Sequence, residues 1–541
     1  MDRPWGRWLA WPLLAWLAAG AACFAVIGDT DAGWHLALGR LIAASGLPHT
    51  NALAWTARDV PWYDTSWLWD WATYALTARA GLLGLQLATF AVFGAVLWAM
   101  GWACARAAWI VPAGAFLLLP RLTVRPHVAT WAGFALVLAL CMAGERREAL
   151  WRWLCLPVIA IAGNLHSGAL FASGLLGLFC AQEFWRTRRV SEPIIAALGV
   201  AAVCANPGGL FNLRSLFWHL NVQRLVVIGE YLPPAVSSEP VFYLLLPMAL
   251  VLAWRNRRER PAHLAALVLF GALALRASRM VYEFEILALP VVAGALSLLR
   301  GRMQLLAGVA LTLACAASHR ADRIFLARHR PDWNPKALPV RAAAFARARG
   351  IEGRMFNAYD HGGYLEWAWF PAFVDGRVQC YPPDFFPAFY RASHGPAQFQ
   401  AWLRSLDVEW AIPSRVSPWL SGRDLLDGPD WALVYWDDLN EVFLRRDVAR
   451  FAPIIYELEY KFLRPHGPMV GAVEKLTPQE LPLLLREIDR FDRTTPDDPF
   501  SLLVRCATLT RLSSPDAPRI CNEAEGRVPV QLLSKARSLT P

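Results

Sequence analysis

The sequence predicts a polytopic α-helical membrane protein of about eleven spans, with a C-terminal soluble α/β (α+β) domain and a terminal helical segment. Composition gives the first reason: of 541 residues, 56% are hydrophobic and only 18% charged, with a mean hydropathy of +0.32. That is too little charge for an ordinary soluble chain of this length. The 27 Trp give the second, because indole rings favour the membrane interface, where one edge is apolar and the N–H is hydrated. The third is the spacing of arginine clusters between apolar runs.

Apolar runs fall near 8–27, 84–103, 107–119, 128–143, 153–163, 168–184, 192–204, 241–254, 262–275, 281–299 and 303–317. Arg3 and Arg7 precede the first and hold the N-terminus in the cytoplasm. A cleaved signal peptide is the alternative for that run, and the remaining topology survives either choice. Strict alternation puts Arg146/Arg147/Arg152, Arg186/Arg188/Arg189, Arg255/Arg257/Arg258/Arg260 and Arg300/Arg302 on the N-terminal side. All four clusters obey the positive-inside tendency, and a missed span would have moved the later ones across. Several runs are shorter than the roughly 20 residues an upright span needs, so the count holds within two. The formal charge of +10 therefore sets topology and gives no reason to expect nucleic acid.

An odd count leaves a long first loop, about 28–80, a shorter one at 205–240, three tight turns and everything beyond about 318 on the outer face. In the first loop, Trp34, His35, Leu38, Leu41 and Ile42 recur at helical spacing after Thr30 or Asp31 as an N-cap, until Ser45-Gly46 stops the helix. Such a helix lies flat on the membrane. Asp31 and His35, four apart, share one of its faces, with Asp29 just before it. After a turn at Pro48-His49-Thr50-Asn51, Trp62 to Trp67 start a second helix capped by Asp64 or Ser66.

The other ionisable groups without topogenic purpose fall on the same face: Arg121, Arg125 and His127, then Asn164 and His166, then Arg276 and Arg279. Capping explains an Asp at a helix start, and snorkelling explains an Arg at a span end. Arginine in outer-face turns runs against the positive-inside tendency, however, and polar groups near lipid depth need partners. Together the set has a chemical use. A carboxylate deprotonates an acceptor hydroxyl while Arg and His neutralise a phosphate leaving group. The substrate class is then a lipid-linked phosphosugar.

Gly28-Asp29-Thr30-Asp31-Ala32-Gly33-Trp34-His35, Pro48-His49-Thr50-Asn51 and Pro61-Trp62-Tyr63-Asp64-Thr65-Ser66-Trp67 resemble the first-loop pattern of a large bacterial family of multi-pass membrane proteins. That family is grouped by architecture with GT-C glycosyltransferases. Similar matches continue at Arg125-Pro126-His127, Asn164 to Gly168, Asn206-Pro207-Gly208-Gly209 and Arg276 to Arg279. The resemblance implies a GT-C-like fold in a bacterial inner membrane, with a periplasmic C-terminal domain. It implies transfer of a sugar from a polyprenyl phosphate or diphosphate to a glycan, lipid or protein acceptor. Asp29 or Asp31 is then the general base, and His35, Asp64, Arg121, Arg125, His127, Asn164, His166, Arg276 and Arg279 bind substrate. A polymerase or ligase of lipid-linked glycans would use the same residues. A transporter or flippase is the alternative from another class, but neither internal repeats nor midplane charges are evident apart from Glu283 and Glu285.

Composition changes beyond about 320, so the membrane domain is 1–320, with Arg330 to Pro335 reading as linker. In 330–450, short strands are expected at Gly353–Phe356, Phe373–Val374, Trp410–Ile412, Trp431–Trp436 and Glu441–Leu444, with helices near 337–349 and 396–406. Asn357 to Tyr364 and Val374 to Arg377 match the same family's outer domain. Their structural reading is a tight glycine approach and an Asp-Gly-Arg turn, and their functional reading is acceptor binding. The final region, 451–541, has helical periodicity near 477–491, 498–511 and 516–526, more a cap than a repeat array. Most of the ten Cys lie in apolar runs as small hydrophobes. Cys506 and Cys521 pair as a disulfide if the region is outside, leaving Cys380 over. No spacing suggests zinc, a phosphate loop or a dinucleotide site. A divalent metal on Asp29, Asp31 and a histidine stays open.

Overall fold

The computed structural model describes residues 5–144, 150–215, 228–299, 301–319, 328–416, 426, 428–465, 469–496 and 498–539. Arg3, Arg146, Arg147 and Arg300 of the topological reading lie outside them. The chain is mostly helical, with one small mixed sheet, and divides into two compact units. The first holds residues 1–53, 57–333 and 377–386, and the second 54–56, 334–376 and 387–541.

Each apolar run contains a helix: Trp5–Gly20, Leu82–Cys104, Val111–Leu118, His127–Gly144, Cys155–Leu165, Ala169–Thr187, Ser191–Val203, Pro240–Arg255, Pro261–Arg276, Val281–Leu296 and Arg302–Ser318. Among the described residues, only Leu82–Cys104 is by itself long and apolar enough to cross a membrane. Val281–Leu296 is the centre of the first unit. Every residue from Val281 to Pro290 is buried, and the helix packs against Leu82–Cys104, Val111–Leu118, His127–Gly144, Pro240–Arg255 and Pro261–Arg276. Outer helices instead turn large apolar side chains outward at helical spacing, as Leu244, Met248 and Val251 do, and Leu305, Leu306, Val309 and Leu313.

The first loop is two helices, Ala32–Ser45 and Trp67–Ala80, packed on each other. Gly46, at φ +84°, ends the first, its N–H donating to the Ile42 carbonyl. Gly39 is where the pair crosses: a Cβ there would stand 2.0 Å from the Asp70 carbonyl oxygen and 2.6 Å from the Tyr74 Cβ. Because backbone blocks the space, Gly39→Ala must push the helices apart, an overpacking cost of about 1–3 kcal/mol. Its thermal unfolding midpoint in detergent is expected to drop by several degrees, and an unchanged midpoint would contradict this crossing.

The second unit carries strands β1 (Met355–Asn357), β2 (Trp410–Ile412), β3 (Trp431–Trp436) and β4 (Glu441–Arg445) in the order β1-β2-β4-β3. β1 and β2 are parallel, and the other pairs antiparallel, with Trp410 opposite Leu444 and Leu433 opposite Phe443. Phe373–Val374 is not a strand. Side chains take its backbone groups instead: Asn357 Oδ1 accepts from Phe373 N–H at 2.7 Å, Asn357 Nδ2 donates to the Val374 carbonyl at 2.8 Å, and the Thr56 hydroxyl donates to the Phe373 carbonyl. Gly362 packs with its Cα side against Val374 and Asp375, leaving no room for a Cβ. Val340–Ala348 and Pro396–Ser405 are the two helices expected in this unit's first part, which also carries the short helix Gly362–Trp367. Leu481–Asp492, Pro499–Arg511 and Ala517–Glu523 follow, and Cys506 and Cys521 form a disulfide between the last two. Cys380, in the first unit, is a buried thiol. Asp498 caps Pro499–Arg511 through Phe500 and Ser501 N–H. Ala452–Leu458, Met469–Lys475 and Val530–Arg537 are further short helices that periodicity did not reveal.

Candidate functional site

Asp31 occupies the N-cap position of Ala32–Ser45, yet its side chain makes no cap hydrogen bond. The carboxylate is directed to Arg125, whose Nη1 lies 2.9 Å from Asp31 Oδ2. Arg125 Nε donates to both oxygens of Asp29, at 2.6 and 2.7 Å, and Asp29 Oδ1 also accepts the Asp31 N–H at 2.9 Å. One guanidinium therefore joins two carboxylates that are two residues apart, the first of them 96 positions from it in sequence. The two acids are not equivalent. Burial would raise Asp29, but Arg125 outweighs it and holds that carboxyl below its ordinary range. Asp31 is pushed up to about 6 by burial, with Arg125 opposing and the negative charges of Asp29 and Glu230 adding to the rise.

A second cluster surrounds Glu230, a residue the sequence reading did not single out. Arg121 pairs with Glu230 Oε2, and Arg279 Nη1 stands 3.7 Å from Oε1 and donates to the Tyr231 hydroxyl at 2.5 Å. The Arg279 guanidinium also lies 4.8 Å from the Tyr231 ring centroid, a cation–π distance. Burial disfavours the Glu230 anion, but Arg279, Arg121 and Arg125 together hold its carboxyl far below the usual range. His127 is packed edge-on to Trp131, its Nε2 2.7 Å from the Arg121 carbonyl, and His166 Nδ1 lies 2.7 Å from the Thr130 hydroxyl. His166, Ser167, Phe171, Tyr231, Arg276 and Arg279 line a cleft of about 100 Å³, room for several waters or one phosphate-sized head. Most of its lining surface is apolar; the two arginines and the histidine are its basic groups, beside Ser167, Asn212, Ser215 and Tyr231.

Two other residues of the expected set lie deeper. His35 is 3% and Asp64 8% exposed, and His35 Nδ1 is 2.6 Å from Asp70 Oδ1. Asp70, wholly buried, carries no motif; its only sequence signal is an acid among the tryptophans of the first turn of Trp67–Ala80. Arg377 joins them in the first unit, its guanidinium 5.5 and 5.4 Å from the Trp34 and Trp62 rings. Asn164 is taken up by packing: its Oδ1 accepts from Trp67 Nε1 at 2.8 Å and its Nδ2 donates to the Ala160 and Ala205 carbonyls. The arrangement thus gathers Asp29, Asp31 and Arg125, links Arg121 to Arg279 through Glu230, and sets Arg276 and His166 along the cleft.

A metal between Asp29 and Asp31 does not fit this geometry, because the Arg125 guanidinium stands where the cation would bind both carboxylates. His35 is directed to Asp70 instead, and among the described residues no three His, Cys, Asp or Glu side chains converge as a metal site.

The chain has a GT-C-like fold. The archaeal oligosaccharyltransferase AglB from Archaeoglobus fulgidus, in complex with an inhibitory peptide and a dolichol phosphate, superimposes with a TM-score of 0.56 at 10% identity, over 74% of this chain and 69% of that one. The same organism's oligosaccharyltransferase tethered to an acceptor peptide gives 0.50 at 10% identity, over 75% and 69%. ArnT from Cupriavidus metallidurans, bound to undecaprenyl phosphate, gives 0.49 at 15% identity, over 82% and 98%. No family model and no curated protein matches the sequence.

Proposed function

We propose that this chain is a membrane glycosyltransferase that moves a sugar from a polyprenyl phosphate or diphosphate to an acceptor on the outer face. The observation that carries the reading is the occurrence in one unit of an acid with a raised pKa, Asp31, and an apolar cleft ending in Arg276, Arg279 and His166. Asp31 takes the proton of the acceptor group as that group attacks the sugar's anomeric carbon. The bond from that carbon to the phosphate oxygen breaks, and the polyprenyl phosphate leaves with the electron pair. Arginines preorganised around the cleft stabilise the charge that develops there. Asp29 holds Arg125 in place and keeps it charged.

Support for the solvent comes from the outward apolar faces of Pro240–Arg255 and Arg302–Ser318, which water would penalise and lipid accepts. The Cys506–Cys521 disulfide fits an oxidising compartment for the second unit. The solved neighbour AglB is in complex with a dolichol phosphate. The direct test is turnover of labelled polyprenyl-linked sugar by the purified chain, with Asp29→Asn and Asp31→Asn alongside. Full activity in both variants would sink the mechanism, and movement of the lipid across proteoliposomes without sugar transfer would favour a flippase.

Glu230 occupies the arginines that a phosphate would need. Removing its charge in Glu230→Gln frees Arg121 and Arg279, so affinity for polyprenyl phosphate is expected to rise about tenfold, or 1.4 kcal/mol. Equilibrium binding of the phospholipid reads this, and weaker binding would mean that Glu230 orients the arginines and does not compete with the phosphate.

A further inference from the structure

Beneath the Asp31 helix lies an arrangement whose hydrogen bonds do not close without an extra proton. Asp64 Oδ1 accepts the Ser66 N–H at 2.8 Å, and Asp70 Oδ1 is 2.6 Å from His35 Nδ1. The second oxygens, Asp64 Oδ2 and Asp70 Oδ2, are buried and meet no N–H or O–H among the described residues. The two carboxyls interact with each other. Two ionised carboxylates within hydrogen-bonding reach of each other, both buried, would repel without compensation, whereas one proton between them satisfies both second oxygens.

We infer that Asp64 and Asp70 share a single proton, and that Asp70, as the pair's acceptor for His35 Nδ1–H, is a positioning residue for the helix that carries Asp31. The charges then balance: one negative charge on the pair faces the Arg377 guanidinium, which both carboxyls feel. His35 stays neutral, since burial and then the positive charges of Arg125 and Arg377, with His166 and His127 nearby, hold its pKa well below the ordinary value. A neutral ring with its proton fixed on Nδ1 has one orientation, and that orientation is set one helical turn from Asp31, whose carbonyl accepts the His35 N–H at 3.3 Å. Burial pushes both acids upward, in keeping with the shared proton. The functional half of this inference rests on the glycosyltransferase reading, and the protonation half does not.

Amide and truncating changes are predicted to separate the two halves of this inference. In Asp64→Asn the amide donates to Asp70, and in Asp70→Asn the amide oxygen still accepts from His35 while its N–H donates to Asp64, so the network survives in either. Asp70→Ala removes the acceptor, and His35 must turn or change tautomer. Infrared difference spectra of the full chain at neutral pH are expected to show a protonated-carboxyl C=O band that D64N loses, every other carboxyl being common to both samples. D70N is expected to keep more turnover than D70A, which loses about 10–100-fold in kcat with donor KM little changed. His35→Asn, which keeps a donor in the Nδ1 place, is expected to retain more activity than His35→Ala, and this comparison stands in if D70A does not fold. No band lost in D64N would overturn the shared proton. Equal damage in D70N and D70A, or equal loss in H35N and H35A, would overturn the positioning role. If the wild type transfers no sugar at all, the glycosyltransferase reading fails, while the spectra still decide the proton.

Discussion

Asp31→Asn is expected to lower kcat by about 10²–10⁴-fold, the usual contribution of a positioned general base, with little change in the KM for the polyprenyl donor. The amide keeps the size of the side chain and its reach to Arg125 but cannot accept a proton. In the wild type the ionised form is the active one, so kcat should fall as pH drops through about 6, where burial, opposed by Arg125, places Asp31. Asp29→Asn should keep an acid limb but move it to lower pH, because the Asp29 charge adds to the rise of Asp31 while the Asp29 carboxyl itself lies below its ordinary range. A pH–rate profile of the three proteins checks both statements. An acid limb that persists in Asp31→Asn would move the base elsewhere.

The second large effect is expected at Arg125. Its fork holds Asp29 with Nε and Asp31 with Nη1, a geometry that a lysine cannot reproduce with one point charge. Arg125→Ala strands Asp29, whose side chain is only 6% exposed, so the cost combines an unpaired buried carboxylate with the loss of a cation facing Glu230. Turnover should fall by at least about 10²–10³-fold, the scale of losing one preorganised donor, and the unfolding midpoint should fall with it. Arg125→Lys is expected to recover stability in part and activity hardly at all. Recovery of both would show that charge alone is needed at this position.

The helices were legible because burial in a bundle imposes a periodicity that local residues carry, and all eleven apolar runs hold one. Gly46 and the cap position at Asp31 were legible for the same local reason. The pairing of Arg125 with Asp29 is a contact across 96 residues, visible in the sequence only as opposite charges on one face. Asp70 and Glu230 were missed because nothing next to them marks their role. Asp70 matters through the crossing at Gly39 and the reach to His35, and Glu230 through two arginines from distant turns. Arg377 was read as part of an Asp-Gly-Arg turn, and its place between Trp34 and Trp62 depends on chain that returns over 300 residues later. Phe373–Val374 had strand composition, but a strand is defined by partners, and there Asn357 and Thr56 supplied the hydrogen bonds.

The side chain of Asp31 leaves the first turn of its own helix uncapped, although a cap at that position is commonly worth about 1 kcal/mol. Stability has been given up there for a charge held away from its ground-state ideal. Asparagine at the same place keeps the capping atoms and sheds the buried charge. The inactive Asp31→Asn protein should therefore melt no lower than the wild type, which makes it a well-folded trap. Donor and acceptor could be held on it together, unreacted, long enough to identify both.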